Sequence, residues 1–128
     1  MELDITEFFY HARTLDYQDS IANSGLQDIG KITWNRARED SGKYPFAMDE
    51  NRQALIEWLS GFGAWDRTEM DAWTLPELNA LMIQFVAGWV QEKENQTWEE
   101  YEKESCAGQV SGCLYEDIEG NVFASVGD

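Results

Sequence analysis

Along most of this chain, apolar positions recur every third or fourth residue. Near its end they give way to short extended runs. Ile5, Phe8, Phe9, Ala12 and Leu15 predict a first helix after Asp4. Asp4 and Glu7 have the spacing of a capping box, in which two side chains satisfy free backbone amides. Residues 22–37 carry a weaker helical pattern through Ile29, Ile32 and Trp34. The stretch from Ser41 to Pro45 predicts a loop, because proline pushes Tyr44 toward extended backbone. Asp49 or Glu50 opens the next helix, which carries Leu55, Trp58, Leu59 and Phe62 and ends at Gly61 and Gly63. Asp66 and Glu69 predict a second capping box before a short helical turn through Trp73.

The clearest start signal is Thr74-Leu75-Pro76-Glu77: a capping hydroxyl, a first-turn proline and a glutamate three residues on. Leu78, Leu81, Met82, Phe85, Trp89 and Val90 then draw one stripe, predicting a central helix to about Lys93. Thr97 and Glu100 repeat the cap before a short acidic helix from Trp98 to Glu104. Residues 109–115 and 121–126 read as strands joined by the turn Glu116–Gly120, whose glycine supplies a positive φ. The expectation is an α+β fold: one domain over residues 1–128, mostly helical over 4–104, with roughly four to six helices. A two-stranded antiparallel β-hairpin over 109–126 packs on them, since a lone hairpin is marginal in water.

A chain of 128 residues with six Trp, six Phe and five Tyr can bury a core unaided. No apolar run approaches the roughly 18 residues of a membrane span, and nothing resembles a signal peptide, so the expected compartment is the cytoplasm. Cys106 and Cys113 are then expected as reduced thiols, although their spacing also allows a disulfide.

Charge changes the picture more than any element does. The formal net charge is −16. Residues 1–67 hold twelve acids and seven bases, and residues 68–128 hold thirteen acids and only Lys93 and Lys103 as bases. Such a chain is repelled by nucleic acid and by anionic membranes, and attracted to basic proteins. Solubility explains part of the charge but not its single sign.

The chemistry that is missing narrows the field. His11 is the only histidine. No nucleophile sits in a recognisable motif, no phosphate loop or calcium loop is present, and the cysteines have no partners for zinc. The expectation is a protein that is not an enzyme and needs no cofactor or metal. A paired-carboxylate glycosidase is the catalytic alternative left open.

What is present is acidic. Glu92 to Glu104 holds Glu92, Glu94, Glu99, Glu100, Glu102 and Glu104, with Trp98 and Tyr101 spaced to share a helical face. Glu116, Asp117 and Glu119 could extend this ridge from the hairpin turn. Carboxylates on a rigid scaffold can imitate a row of phosphates and dock where a nucleic acid would lie. The plainer reading is two aromatic anchors under a solvated face. Trp34, Tyr44 and Phe46 beside Arg36, Arg38 and Lys43 offer a different surface, an aromatic hot spot with arginines.

The run Trp58-Leu59-Ser60-Gly61-Phe62-Gly63-Ala64-Trp65-Asp66, followed by Leu78-Asn79-Ala80-Leu81, resembles small acidic proteins of phages, prophages and conjugative elements of proteobacteria. Ala107 to Tyr115 and Gly120 to Phe123 are similar to the tails of those proteins. The likeness spans residues 55–126 and implies an accessory protein of the anti-CRISPR or anti-restriction type. It assigns no residue roles. The expected function is inhibition of a host nucleic-acid-targeting complex through acidic, nucleic-acid-mimicking contacts to a basic protein or ribonucleoprotein. The alternative is an interaction module that uses an aromatic patch, with a homodimer as one form.

Overall fold

A computed structural model describes residues 2–14, 29–63, 65–106 and 112–126. In chain order the elements are β1 (Glu2–Asp4), α1 (Thr6–Ala12), α2 (Ile29–Asp40), α3 (Arg52–Ser60), α4 (Arg67–Asp71), α5 (Leu75–Lys93), α6 (Trp98–Ser105), β2 (Cys113–Glu116) and β3 (Val122–Ser125). A single 3-10 turn, Asp49–Asn51, leads into α3. The fold is α+β and mostly helical, as the periodicity predicts. Leu15, residues 22–28 of the weaker helical pattern and residues 109–111 of the first predicted strand lie outside the described residues.

Helix α5 is the axis. Thr74 Oγ1 accepts from the backbone N–H of Glu77, and the Glu77 carboxylate accepts from that of Thr74. Leu78, Met82, Ile83, Val86 and Val90 are all buried. A helix apolar on so many sides is stable only when neighbours cover it. Here α1, α2, α3, α6 and β2 do so. Asn79, polar and buried on this helix, accepts from the backbone N–H of Ala47 and so pins the loop before the 3-10 turn.

The sheet departs from expectation. It has three strands in the order β1-β3-β2, all antiparallel. Leu3, Ala124 and Leu114 lie in register on the buried face. The chain start, expected as the approach to a helix, supplies the third strand. Asp4 forms no capping box with Glu7; its Oδ1 accepts from Thr6 N at 3.1 Å and Thr6 Oγ1 at 2.6 Å, and Ile5 takes the cap position. Asp66 likewise makes no side-chain cap bond, and α4 ends at Asp71 rather than Trp73. Thr97 and Glu100 do close their box. Gly63 (φ 77°) and Gly120 (φ 88°) take the left-handed conformations that their turns require.

Cys106 and Cys113 form a disulfide, with Cα atoms 5.9 Å apart. That corrects the expectation of reduced thiols. The expectation rested on the compartment, whereas the geometry follows from α6 ending beside the start of β2, within bridging distance. Among the described residues no helix is long and apolar enough to cross a membrane.

Candidate functional site

Helix α6 is held along one side only. The Thr97 cap starts it. Trp98, half-buried, stacks on Phe9 with ring centroids 5.6 Å apart, and the Lys93 ammonium sits 4.4 Å over its ring. Tyr101 is buried, and its hydroxyl accepts from Leu114 N–H of β2 at 3.4 Å. Burial, and then the charge of Glu92, push the Tyr101 hydroxyl up to about 12 against the pull of that hydrogen bond. The disulfide ties down the far end.

Every other side of α6 carries charge. Helical rotation spreads Glu99, Glu100, Glu102 and Glu104 around the exposed side instead of aligning them in one row, with Lys103 among them. Lys93 does not answer this charge from outside. It is buried, donates to the Gln96 carbonyl at 2.9 Å, and desolvation, with Arg13 adding to it, lowers its pKa against the pull of Glu116.

The nine expected contact residues do different things. Glu102 and Glu116 come together with Glu2 around a cleft of about 590 Å3 beside the disulfide and Tyr115. Glu2 was not foreseen; its signal was the polar–apolar alternation of Glu2-Leu3-Asp4-Ile5, which marks a strand. Burial and then the Glu2 carboxylate push the Tyr115 hydroxyl up to about 12. Glu92, Glu99 and Glu119 are exposed and Glu94 is half-buried. Glu100 serves the cap, and Glu104 accepts from Gln96 Nε2 at 2.7 Å.

Asp117 organises the hairpin turn. Its Oδ1 accepts from Glu119 N–H and Asn121 N–H, each at 2.9 Å, and its Oδ2 from Asn121 Nδ2 at 3.1 Å. Desolvation would raise its pKa, but these bonds and one from Gly120 N–H outweigh it and hold the carboxyl below its ordinary value.

The expected aromatic hot spot divides: Lys43, Tyr44 and Phe46 line one cleft with residues 4–8, while Trp34 lies elsewhere. Tyr44 and Phe46 pack edge-on against Phe8, at 5.0 and 5.9 Å, and Phe46 is buried. Arg36 and Lys43 turn to Asp40, which is only 2 % exposed and has His11 Nε2 at 3.7 Å, Arg36 Nε at 3.9 Å and Lys43 Nζ at 3.7 Å. Trp34 instead joins Trp65 and Trp73, with centroids 6.4 and 6.2 Å away. Among the described residues, the exposed aromatic side chains are Tyr10, Phe62 and Trp65. Among the described residues, no group of three or more His, Cys, Asp or Glu could hold a metal ion. Protein-family models, characterised proteins and solved structures give no match to the chain.

Proposed function

We propose that this protein binds the basic, nucleic-acid-binding surface of a protein partner and competes there with nucleic acid. Its setting, on the sequence resemblance, is the cytoplasm of a bacterial host. There it acts as a mobile-element inhibitor of a defence complex of the anti-CRISPR type, by occupation rather than by catalysis. The observation that carries the reading is the convergence of Glu2, Glu102 and Glu116 on one cleft, continuous with an α6 whose remaining exposed side is mostly carboxylate. Three elements distant in sequence place like charges together, and like charges brought together lower stability unless a cation answers them. In this reading the ridge takes in Glu2 beside its expected members, of which Glu100 and Asp117 also hold the α6 cap and the hairpin turn.

The test is capture of partners from a bacterial lysate at about 0.1 M and about 0.5 M salt, where exposed charges are largely screened. Wild-type protein and a Glu2→Lys/Glu102→Lys/Glu116→Lys variant are compared. The expected result is a nucleic-acid-binding protein held at low salt, released at high salt, lost with the variant, and displaced by added duplex DNA or RNA. Capture that ignores both salt and the variant removes the acidic surface from the mechanism.

A further inference from the structure

We infer that the open edge of β1 takes an added strand: an extended segment of the partner protein, with lysine or arginine alternating with apolar residues, paired antiparallel along Glu2–Asp4. The partner is the basic protein of the reading above, on which this inference rests.

The two edges of the sheet differ. Strand β3 lies in the middle. The outer edge of β2 lies against α6, where the Leu114 N–H meets the Tyr101 hydroxyl. The main neighbour of β1 is β3, and among the described residues no strand pairs with its outer side. The ladder tells which groups stand there. Ile5 N–H donates to the Val122 carbonyl at 2.9 Å, so the main chain of Ile5 faces β3. Main-chain groups alternate sides along an antiparallel strand. Leu3 therefore faces β3 as well, opposite Ala124, while the N–H and C=O groups of Glu2 and Asp4 point away from the sheet. Such groups are the donors and acceptors that a further strand uses.

The side chains of β1 select the occupant. Glu2 and Asp4 are exposed and stand on the face of the sheet opposite to buried Leu3. Residues of an added strand that lie beside Glu2 and Asp4 share that face, so lysine or arginine fits there and an acidic residue is repelled. The residue between them lies beside Leu3 on the core-facing side and is apolar. A cation also has room. Glu2 borders the acidic cleft of about 590 Å3, and Asp4 borders the cleft of about 490 Å3 that Tyr44 lines. Lys43, on the wall of the second cleft, is already answered by Asp40 at 3.7 Å.

A second copy does not fit the same edge. Two β1 strands paired antiparallel would set Glu2 and Asp4 of one chain against those of the other, and like charges directly opposite destabilise a pair. Charge on an open edge is a common guard against such self-pairing. Here it has one sign only, so it bars another copy of the chain and admits a basic strand.

The probe is a capped peptide of about seven residues, lysine alternating with valine, titrated against the full chain by calorimetry. In antiparallel pairing the residues opposite Glu2 and Asp4 give their N–H groups to β1, and the residue opposite Leu3 turns its N–H away. N-methylation of the lysines should therefore weaken binding at least about tenfold, while N-methylation of the valines should leave it within about threefold. A contact made by charge alone cannot separate these peptides, because both carry the same charge. Glu2→Gln/Asp4→Asn should weaken binding at least about threefold. With peptide bound, the Asp4 amide should exchange at least about tenfold more slowly. An excess of peptide should also displace the partner captured from lysate. No binding, the same effect from both methylations, or an Asp4 amide that gains no protection would each overturn the inference. So would a dimer at about 0.5 M salt whose Asp4 amide is protected without peptide, which would assign the edge to a second copy. Capture that depends on Glu102 and Glu116 but ignores the peptide would overturn it and leave the reading above standing. Peptide held at the edge of a chain that captures no nucleic-acid-binding protein would support the edge and overturn that reading.

Discussion

Helices α5 and α6 begin with the same device, a threonine cap answered by a glutamate three residues on, and they are held in opposite ways. Helix α5 is buried on nearly every side and covered by five other elements. Helix α6 gives the core one fully buried ring, Tyr101, and one half-buried ring, Trp98; its other restraints are a cap and a disulfide. The difference shows what an acidic surface costs. A helix face crowded with carboxylates cannot bury itself, so its position depends on a few point attachments, and each one can be tested.

Tyr101 should matter most. Replacing a fully buried aromatic residue by alanine costs about 3–5 kcal/mol. Tyr101→Phe keeps the ring and removes only the acceptor for Leu114 N–H, costing about 1 kcal/mol. The contrast between helices appears in hydrogen exchange. In Tyr101→Ala, amides of α6 should exchange through local opening, while those of α5 should still wait for global unfolding. Equal acceleration in both would show that α6 is no separate unit.

The disulfide comes next. Opening Cys106–Cys113, by a dithiol reductant or by Cys106→Ser/Cys113→Ser, should cost about 2 kcal/mol in denaturant unfolding, since the loop it closes is short. Salt-sensitive partner capture should survive the change, because Tyr101 and the Thr97 cap still place Glu102. An inhibitor working in a reducing cytoplasm requires that result. If capture is lost along with the disulfide, the acidic cleft works only when oxidised.

How far these features could be read from sequence follows the range of the interactions behind them. The caps at Thr74 and Thr97, the extent of α5 and the glycine of the hairpin turn were legible because each rests on residues within one or two turns. Strand β1 was not, because its reason for being a strand is the edge of β3, more than a hundred residues away. Glu2 was lost with it, and with Glu2 the shape of the acidic cleft. The carboxylates of α6 were legible as a group, but their tasks were not. Glu100 and Glu102 look alike in sequence, yet one closes a cap and the other faces the cleft.

The smallest expected effect concerns Asp117, and it sharpens the comparison by testing a carboxylate assigned to the fold. Its folded pKa lies below the ordinary 3.8, so the ionised form is the one the turn favours. A group of this kind adds stability above its unfolded pKa and loses it as pH falls through the folded value. The turn should therefore hold at pH 5 and loosen only below about pH 3.8. The amide resonances of Glu119 and Asn121 should report this, because both N–H groups donate to Asp117 Oδ1. Their shifts should titrate together, with a midpoint under 3.8. Asp117→Asn should abolish that titration and leave α6 unmoved. It should leave salt-sensitive capture unchanged too, because Asp117 spends its charge inside the turn. If capture weakens with Asp117→Asn as much as with Glu102→Lys, the turn belongs to the binding surface after all, and the division between carboxylates of the fold and carboxylates of the interface fails there.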